Sequence, residues 1–311
     1  MDLIPDLNKY DDIKKASHDG SLVIFIGAGV SKLYGCPIWS EAAICMLDQL
    51  YSLGIINHYL YDNLKKEPSP KKIITICKNL LAAEGKNIDY KSIYQPKNIN
   101  KNCSVYNDLY RFKASYITTN YDSLFDDVVY KTSPPEAKLP TDDKQKLIEQ
   151  KKHKIFSCVD DIQNPTDVYT SGNLTHLHGS INPQTKMVMT PKEYFEHYRY
   201  NGKTAQILES LFSHTVLFIG YNADEFEIME YVLNKPPDKS LKSYLLYMTY
   251  KGQEQLLKAY RHYYQDLNIE IIPYDGTKRG YDQLQLIIDD WARKLDPRNS
   301  LDDIDLIDKN I

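Results

Sequence analysis

Residues Leu22–Trp39 read LVIFIGAGVSKLYGCPIW. An apolar run from Leu22 to Ile26 leads directly into Gly27, Ala28 and Gly29, and no charge appears before Lys32. A run this short and apolar, closed by a glycine turn, predicts a strand buried on both faces and followed by a helix. Such a turn presents backbone N–H groups and the positive end of a helix dipole above the strand's carboxyl edge, where phosphate is the usual occupant. Glycine at 27 permits the tight turn, and glycine at 29 removes the Cβ that would keep a phosphate away. The dehydrogenase version of this fingerprint needs a third small residue where Lys32 stands. It also needs an acidic residue at the end of a second strand, whereas the nearest candidate, Asp48, lies in the helical stretch EAAICMLDQL. The turn therefore reads as nucleotide-binding but not dehydrogenase-like. No G-x-x-x-x-G-K loop and no Ser-His-Asp elbow is present.

The same apolar pattern recurs along the chain. SYITT from Ser115, LTHLH from Leu174, TVLFIG from Thr215, SYLLYMTY from Ser243 and IEIIPY from Ile269 each predict a buried strand. Helical spacing lies between most of them: YDSLFDDVVY from Tyr121, KTAQILESLFSH from Lys203, EFEIMEYVL from Glu225, GQEQLLKAYRHYYQ from Gly252 and YDQLQLIIDDWARKL from Tyr281. This alternation predicts an α/β fold, a Rossmann-like, doubly wound and mainly parallel sheet with helices on both faces. Two regions break the pattern. Residues about 40–112 read as helical almost throughout, a helical module inserted in the first crossover. Residues about 131–172 read as a polar, proline-bearing segment, a surface excursion or a partly mobile lid. The expected organisation is one domain over 1–295 and an acidic tail over 296–311.

Composition removes several function classes. A net charge of −4 over 311 residues gives no general attraction for nucleic acid, and the basic run KKHK at 151–154 reads as solvated surface. The first twenty residues hold no apolar stretch long enough for a signal peptide, and no window approaches a membrane span, so neither secretion nor membrane binding is expected. Five cysteines without a C-x-x-C pair fit a reducing cytoplasm and argue against a four-cysteine zinc site. The 26 tyrosines are spread through the chain without interleaved basic residues, which is no base-stacking platform.

Three further segments carry polar residues at strand ends. ITTNYDSLF sets Thr118, Thr119, Asn120, Tyr121 and Asp122 after one strand. LTHLHGSI sets His176, His178, Gly179 and Ser180 after another, and LFIGYNADEFEIM does the same for Gly220, Tyr221, Asn222 and Asp224. In a doubly wound sheet these edges face one crevice, where ligands bind. Asp122 is also placed to cap the helix that follows. His176 reads as a structural hydrogen-bonder, Trp39 as a wall of the pocket or a core residue, Cys36 as a small buried residue, and YFEHYRY from Tyr194 as an amphipathic surface segment.

At these residues the chain resembles the sirtuin-like superfamily, in particular its bacterial defence-associated branch. The family's G-A-G-x-S motif matches Gly27, Ala28, Gly29 and Ser31, and its T-[TQ]-N-x-D motif matches Thr118 to Asp122. H-G matches His178 and Gly179, and G-[TY]-[SN] matches Gly220 to Asn222. The resemblance implies an NAD+ site with pyrophosphate on Gly27 to Ser31 and nicotinamide ribose near Asn120 and His178. Thr119 belongs to the same motif, the carboxamide is implied near Asp122, and the adenosine ribose near Gly220 and Asn222. Protein-deacylating members carry a zinc module of two C-x-x-C pairs and a G-I-P-x-F-R segment. This chain lacks the first, so no zinc is expected, and has Ser40 after Trp39 in place of the arginine.

Both departures favour the branch that destroys NAD+. The implied activity is an NAD+ glycohydrolase, with NAD+ as substrate, yielding nicotinamide and ADP-ribose in anti-phage defence by abortive infection. The leaving group is a cationic pyridinium that departs neutral, so no carboxylic acid need protonate it. What remains is to hold the ribose and orient water, roles expected of Asn120 and of His178, whose reference pKa of about 6.5 suits a base. Control of such an enzyme is expected through homo-oligomerisation and a separately encoded regulatory or sensor partner, such as an ATPase. The alternatives are a non-catalytic sensor of NAD+ or ADP-ribose-type nucleotides, and an NAD-dependent deacylase or ADP-ribosyl transferase.

Overall fold

The computed structural model describes residues 4–95, 98–132, 153–221 and 242–296. The apolar runs form strands β1 (Val23–Ile26), β2 (Ser115–Thr118), β4 (Leu174–His176), β5 (Val216–Ile219), β6 (Ser243–Thr249) and β7 (Ile269–Asp275), joined by a two-residue edge strand, β3 (Ile155–Phe156). The order is β3-β4-β2-β1-β5-β6-β7, and every pairing is parallel. The mainly parallel sheet expected from sequence is thus parallel throughout these seven strands. Side chains alternate across it. Ile24 and Ile26 enter one core layer with Val105, Leu109, Phe125, Ile288 and Trp291, whereas Val23 and Phe25 enter the opposite layer with Ile207, Leu208 and Leu257.

From β1 the chain passes to β2 on one side, and later from β4 across to β5 on the other. A crevice belongs at this reversal, over the carboxyl edge. Register makes that edge level: Ile26 pairs with both Thr118 and Ile219, and Thr118 with His176. Gly27, Thr119, Leu177 and Gly220 consequently all leave the sheet at one height.

Ahead of β1 lies α1 (Asp11–Asp19), and after β1 the chain runs through α2 (Ala28–Lys32), α3 (Trp39–Ser52), α4 (His58–Lys65) and α5 (Pro70–Ala83), of which α3 and α5 are the longest. They build a third core of their own, in which Ala43, Met46, Leu47 and Leu50 face Ile73, Ile74, Cys77 and Leu81. This core is sealed below by Tyr121, Ile181 and Met189, so it roofs the strand edge. Ser69 caps α5 through the Lys72 N–H, with Pro70 in the first turn, which fixes where that helix begins over the crevice.

Two expectations are corrected. Residues 153–172 were expected in a surface excursion, but Phe156, Val159, Ile162 and Val168 are buried in the second core layer. The segment YFEHYRY was expected at the surface. Instead Tyr194, His197 and Tyr198 are buried, on a short helix (Pro191–Phe195) and the π-helical turn that follows it (Glu196–Tyr200). The i, i+3, i+4 face is amphipathic as expected, but its inner side is made of tyrosine and histidine. The expected helix from Glu225, residues 133–152 and the tail from 297 lie outside the described residues. Among the described residues no helix is long and apolar enough to cross a membrane.

Candidate functional site

A cavity of about 670 Å³ opens over the level strand edge. Seven of the expected site residues line it: Ala28, Gly29, Ser31, Thr119, Asn120, Asp122 and Gly220. The inserted helices add Trp39, Ser69, Lys71 and Tyr94, and the ends of β6 and β7 add Met248 and Tyr274. Trp39 meets the Tyr121 ring edge-on at 6.0 Å, so it is a wall of this cavity. Met248 and Tyr274 were absent from the sequence reading, although the strand-end rule that found Asn120 applies to them equally. Asn222 lies outside the described residues.

Gly27 sits beneath the cavity as the N-cap of α2 (Ala28–Lys32). Its N–H donates to the Ile219 carbonyl at 2.9 Å, and the Gly29 N–H donates to the Gly220 carbonyl at 2.8 Å. A Cβ at Gly27 would meet the Gly220 oxygen at 2.5 Å, and one at Gly29 would lie 2.9 Å from the Gly220 Cα. The glycines are therefore required by the close approach of two backbones. From the sequence, the tight turn is the reason for Gly27 and an approaching phosphate the reason for Gly29; the Gly220 backbone is a further reason at both.

Asn120 is held from three sides. Its Nδ2 donates to the Gly27 carbonyl at 3.0 Å and to Ser31 Oγ at 2.8 Å, while its backbone N–H donates to Thr118 Oγ1 at 3.0 Å. A carbonyl oxygen accepts only, so the contact with Gly27 identifies which end of the amide is nitrogen. Both amide hydrogens are engaged with the protein. The group that Asn120 can offer to a ligand in the cavity is consequently an acceptor, its Oδ1.

Ser31 Oγ in turn donates to Asp122 Oδ2 at 2.6 Å, and Asp122 Oδ1 accepts the Leu124 N–H at 3.2 Å at the start of the next helix, Leu124–Thr132. Burial raises the Asp122 carboxyl pKa above its ordinary value, against the opposing effect of these two hydrogen bonds. One member of the cluster had no signal in the sequence. Tyr106, 75 residues from Ser31 and on a helix of the inserted segment, brings its hydroxyl to 2.8 Å from Ser31 Oγ.

The two histidines separate. His176 is buried, with Nδ1 3.1 Å from the Asn120 carbonyl and Nε2 2.9 Å from Asp126 Oδ1. Both partners accept, so both ring nitrogens donate and the ring is a cation paired with Asp126. Burial pulls the His176 pKa down, but the hydrogen bond and charge of Asp126 outweigh it and the net shift is upward. A raised folded-state value stabilises the fold below the unfolded pKa and is lost as pH rises through the folded one. Thermal stability is expected to fall as pH rises above about 6.5, the ordinary histidine value, and Asp126→Asn is expected to flatten that slope. Identical slopes in melting curves of the two proteins would contradict the pairing.

His178 was expected beside Asn120, but it does not line the cavity. It is wholly buried among Tyr121, Tyr194, His197 and Tyr198, with Nε2 2.6 Å from the Tyr198 hydroxyl. Burial, then His197 and Lys71, holds its pKa well below the usual histidine value, so the ring is neutral. Two residues after His176, it leaves the strand where Gly179 adopts a φ of +89°, and the regular alternation that put both histidines on one side ends there. Among the described residues no group of three or more His, Cys, Asp or Glu side chains is placed to hold a metal ion.

A family model described as SIR2-like domain matches residues 114–272, about half the chain, and spans β2 to β7 with Asn120, His178 and Gly220. Over 222 residues the chain is 26% identical to Defense-associated sirtuin 2 of Bacillus subtilis, an overlap covering 70% of this chain and 19% of that protein. The chain thus matches about a fifth of the length of that relative.

Proposed function

The chain belongs to the SIR2-like domain family, and from that premise we propose that it cleaves NAD+ to nicotinamide and ADP-ribose in the cavity above β1, β2 and β5. The observation that carries this reading is the state of Asn120. A fixed amide at the cavity wall, with both hydrogens engaged and an acceptor left over, suits a ribose hydroxyl or an attacking water, each of which needs an acceptor. The pyrophosphate is assigned to the turn at Ala28 and Gly29, and the adenine to the end lined by Met248 and Tyr274. The nicotinamide is assigned to the end near Asp122 and Trp39. His178 supports this site from behind Tyr121 as a neutral ring.

The absence of any C-x-x-C pair from the sequence supports hydrolysis over deacylation, because the family's deacylases carry two such pairs. The likeness to a defence-associated sirtuin supports a role in defence against phage through depletion of NAD+. Control by self-association and by a separately encoded partner belongs to the same proposal, since unrestrained loss of NAD+ harms the cell that makes the enzyme.

Chromatography of the products, with and without an acetylated peptide, tests the reaction. The expected outcome is nicotinamide and ADP-ribose in equal amounts, unchanged by the peptide. O-acetyl-ADP-ribose, or ADP-ribose attached to protein in place of free ADP-ribose, would overturn the hydrolase reading.

A further inference from the structure

We propose that the Tyr106 hydroxyl is a positioning group for NAD+ cleavage, holding Ser31 and Asn120 so that the Asn120 amide oxygen stays turned toward the substrate. This rests on the hydrolase reading above. Tyr106 is fully buried and touches no ligand space itself; it is absent from the cavity lining. Its ring is clamped between Tyr34, stacked at 5.1 Å and 14°, and Phe125, stacked at 4.8 Å and 15°. Its backbone N–H donates to the Tyr34 hydroxyl at 3.2 Å. A ring held on both faces and at its backbone delivers the hydroxyl to one place.

The hydrogens available around Ser31 fix what that hydroxyl does there. Ser31 Oγ has one proton, which goes to Asp122 Oδ2 at 2.6 Å. Its two lone pairs are left for Asn120 Nδ2 and Tyr106 Oη, each 2.8 Å away. Tyr106 must therefore donate, and its donation fills the last open site on Ser31. Tyr106 Oη also lies 3.5 Å from Asn120 Nδ2, on the same side as Ser31. With the hydroxyl present, Ser31 has one rotamer that satisfies every partner, and that rotamer presents the lone pair on which the Asn120 amide rests. Without it, the serine can turn and the amide keeps Gly27 as its fixed partner.

Tyr106→Phe removes the hydroxyl and keeps the clamped ring. Its kcat for nicotinamide release is expected to fall about 10- to 100-fold, the loss typical of a reacting group displaced by a fraction of an ångström to one ångström, with KM changed by less than about threefold. In the Asn120→Ala background the same substitution is expected to cost nothing further, because its effect runs through Asn120. The side-chain amide protons of Asn120, followed by NMR, are expected to exchange faster in Tyr106→Phe than in the wild type. An unchanged kcat, or losses that multiply independently in the double variant, would overturn the proposal. A wild-type chain that binds no NAD+ would remove the hydrolase reading instead. The exchange comparison then decides the positioning alone, faster exchange upholding it and equal exchange overturning it.

Discussion

Asn120→Ala is expected to lower nicotinamide release by about 100- to 1,000-fold, the range seen when one preorganised polar group is taken from a reaction centre. The substitution removes the acceptor assigned to the ribose or to water and leaves the cavity walls in place. Affinity for NAD+ is expected to stay within a few-fold, since the pyrophosphate and adenine ends of the site are untouched. The truncation also takes a donor from the Gly27 carbonyl and from Ser31 Oγ, at a cost of about 1–3 kcal/mol in stability. Calorimetric titration with NAD+ and a melting curve on the same preparation separate these effects. Loss of turnover with binding intact supports the assignment, and full turnover by the variant would remove Asn120 from the chemistry.

Gly220→Ala is expected to destabilise the fold by about 3 kcal/mol or more and to abolish turnover with it. Two costs combine at this position. Gly220 has a φ of +61°, a conformation that an L side chain adopts at a cost of about 1–2 kcal/mol. A Cβ there would also lie 2.6 Å from the Val30 nitrogen and 2.8 Å from its Cγ2, inside the contact that joins β5 to the glycine turn. Neither neighbour is the loose end of a long side chain, so the two backbones must part. Gly85 supplies the control: its φ of +65° is nearly the same, and nothing lies within 4 Å of a Cβ built on it. Gly85→Ala should show the conformational cost alone, and equal losses in the two variants would show that the backbone contact contributes nothing.

Much of this architecture is legible in the chain itself. Six of the seven strands announce themselves as apolar runs ending in glycine or polar residues, because a strand buried on both faces tolerates little else. β3 escapes that reading: Ile155 and Phe156 are two apolar residues in polar surroundings, and their strand exists only because β4 lies alongside to pair with them. The strand-end rule also locates Ser31, Thr119, Asn120 and Asp122 in one cavity, since level registers bring separate strand ends together.

What the chain does not reveal are contacts decided by the third dimension. Tyr106 reaches Ser31 from a helix packed beneath the turn, and helical periodicity marks it as a core residue like any other. The burial of His178 depends on Tyr194 and Tyr198, whose segment looks like surface because Phe195 and Tyr200 beside them are indeed exposed, at 54% and 76%. The close approach of Gly29 and Gly220 is likewise a meeting of the helix start after β1 with the residue that follows β5, although each glycine alone already signals a backbone under constraint.

The most direct measurement is a crystal structure of Asn120→Ala grown with NAD+. The dinucleotide is expected in the cavity over β1, β2 and β5, with its adenine by Met248 and Tyr274 and its nicotinamide toward Asp122 and Trp39. NAD+ bound elsewhere on the chain, or its nicotinamide at the Met248 end, would contradict the account.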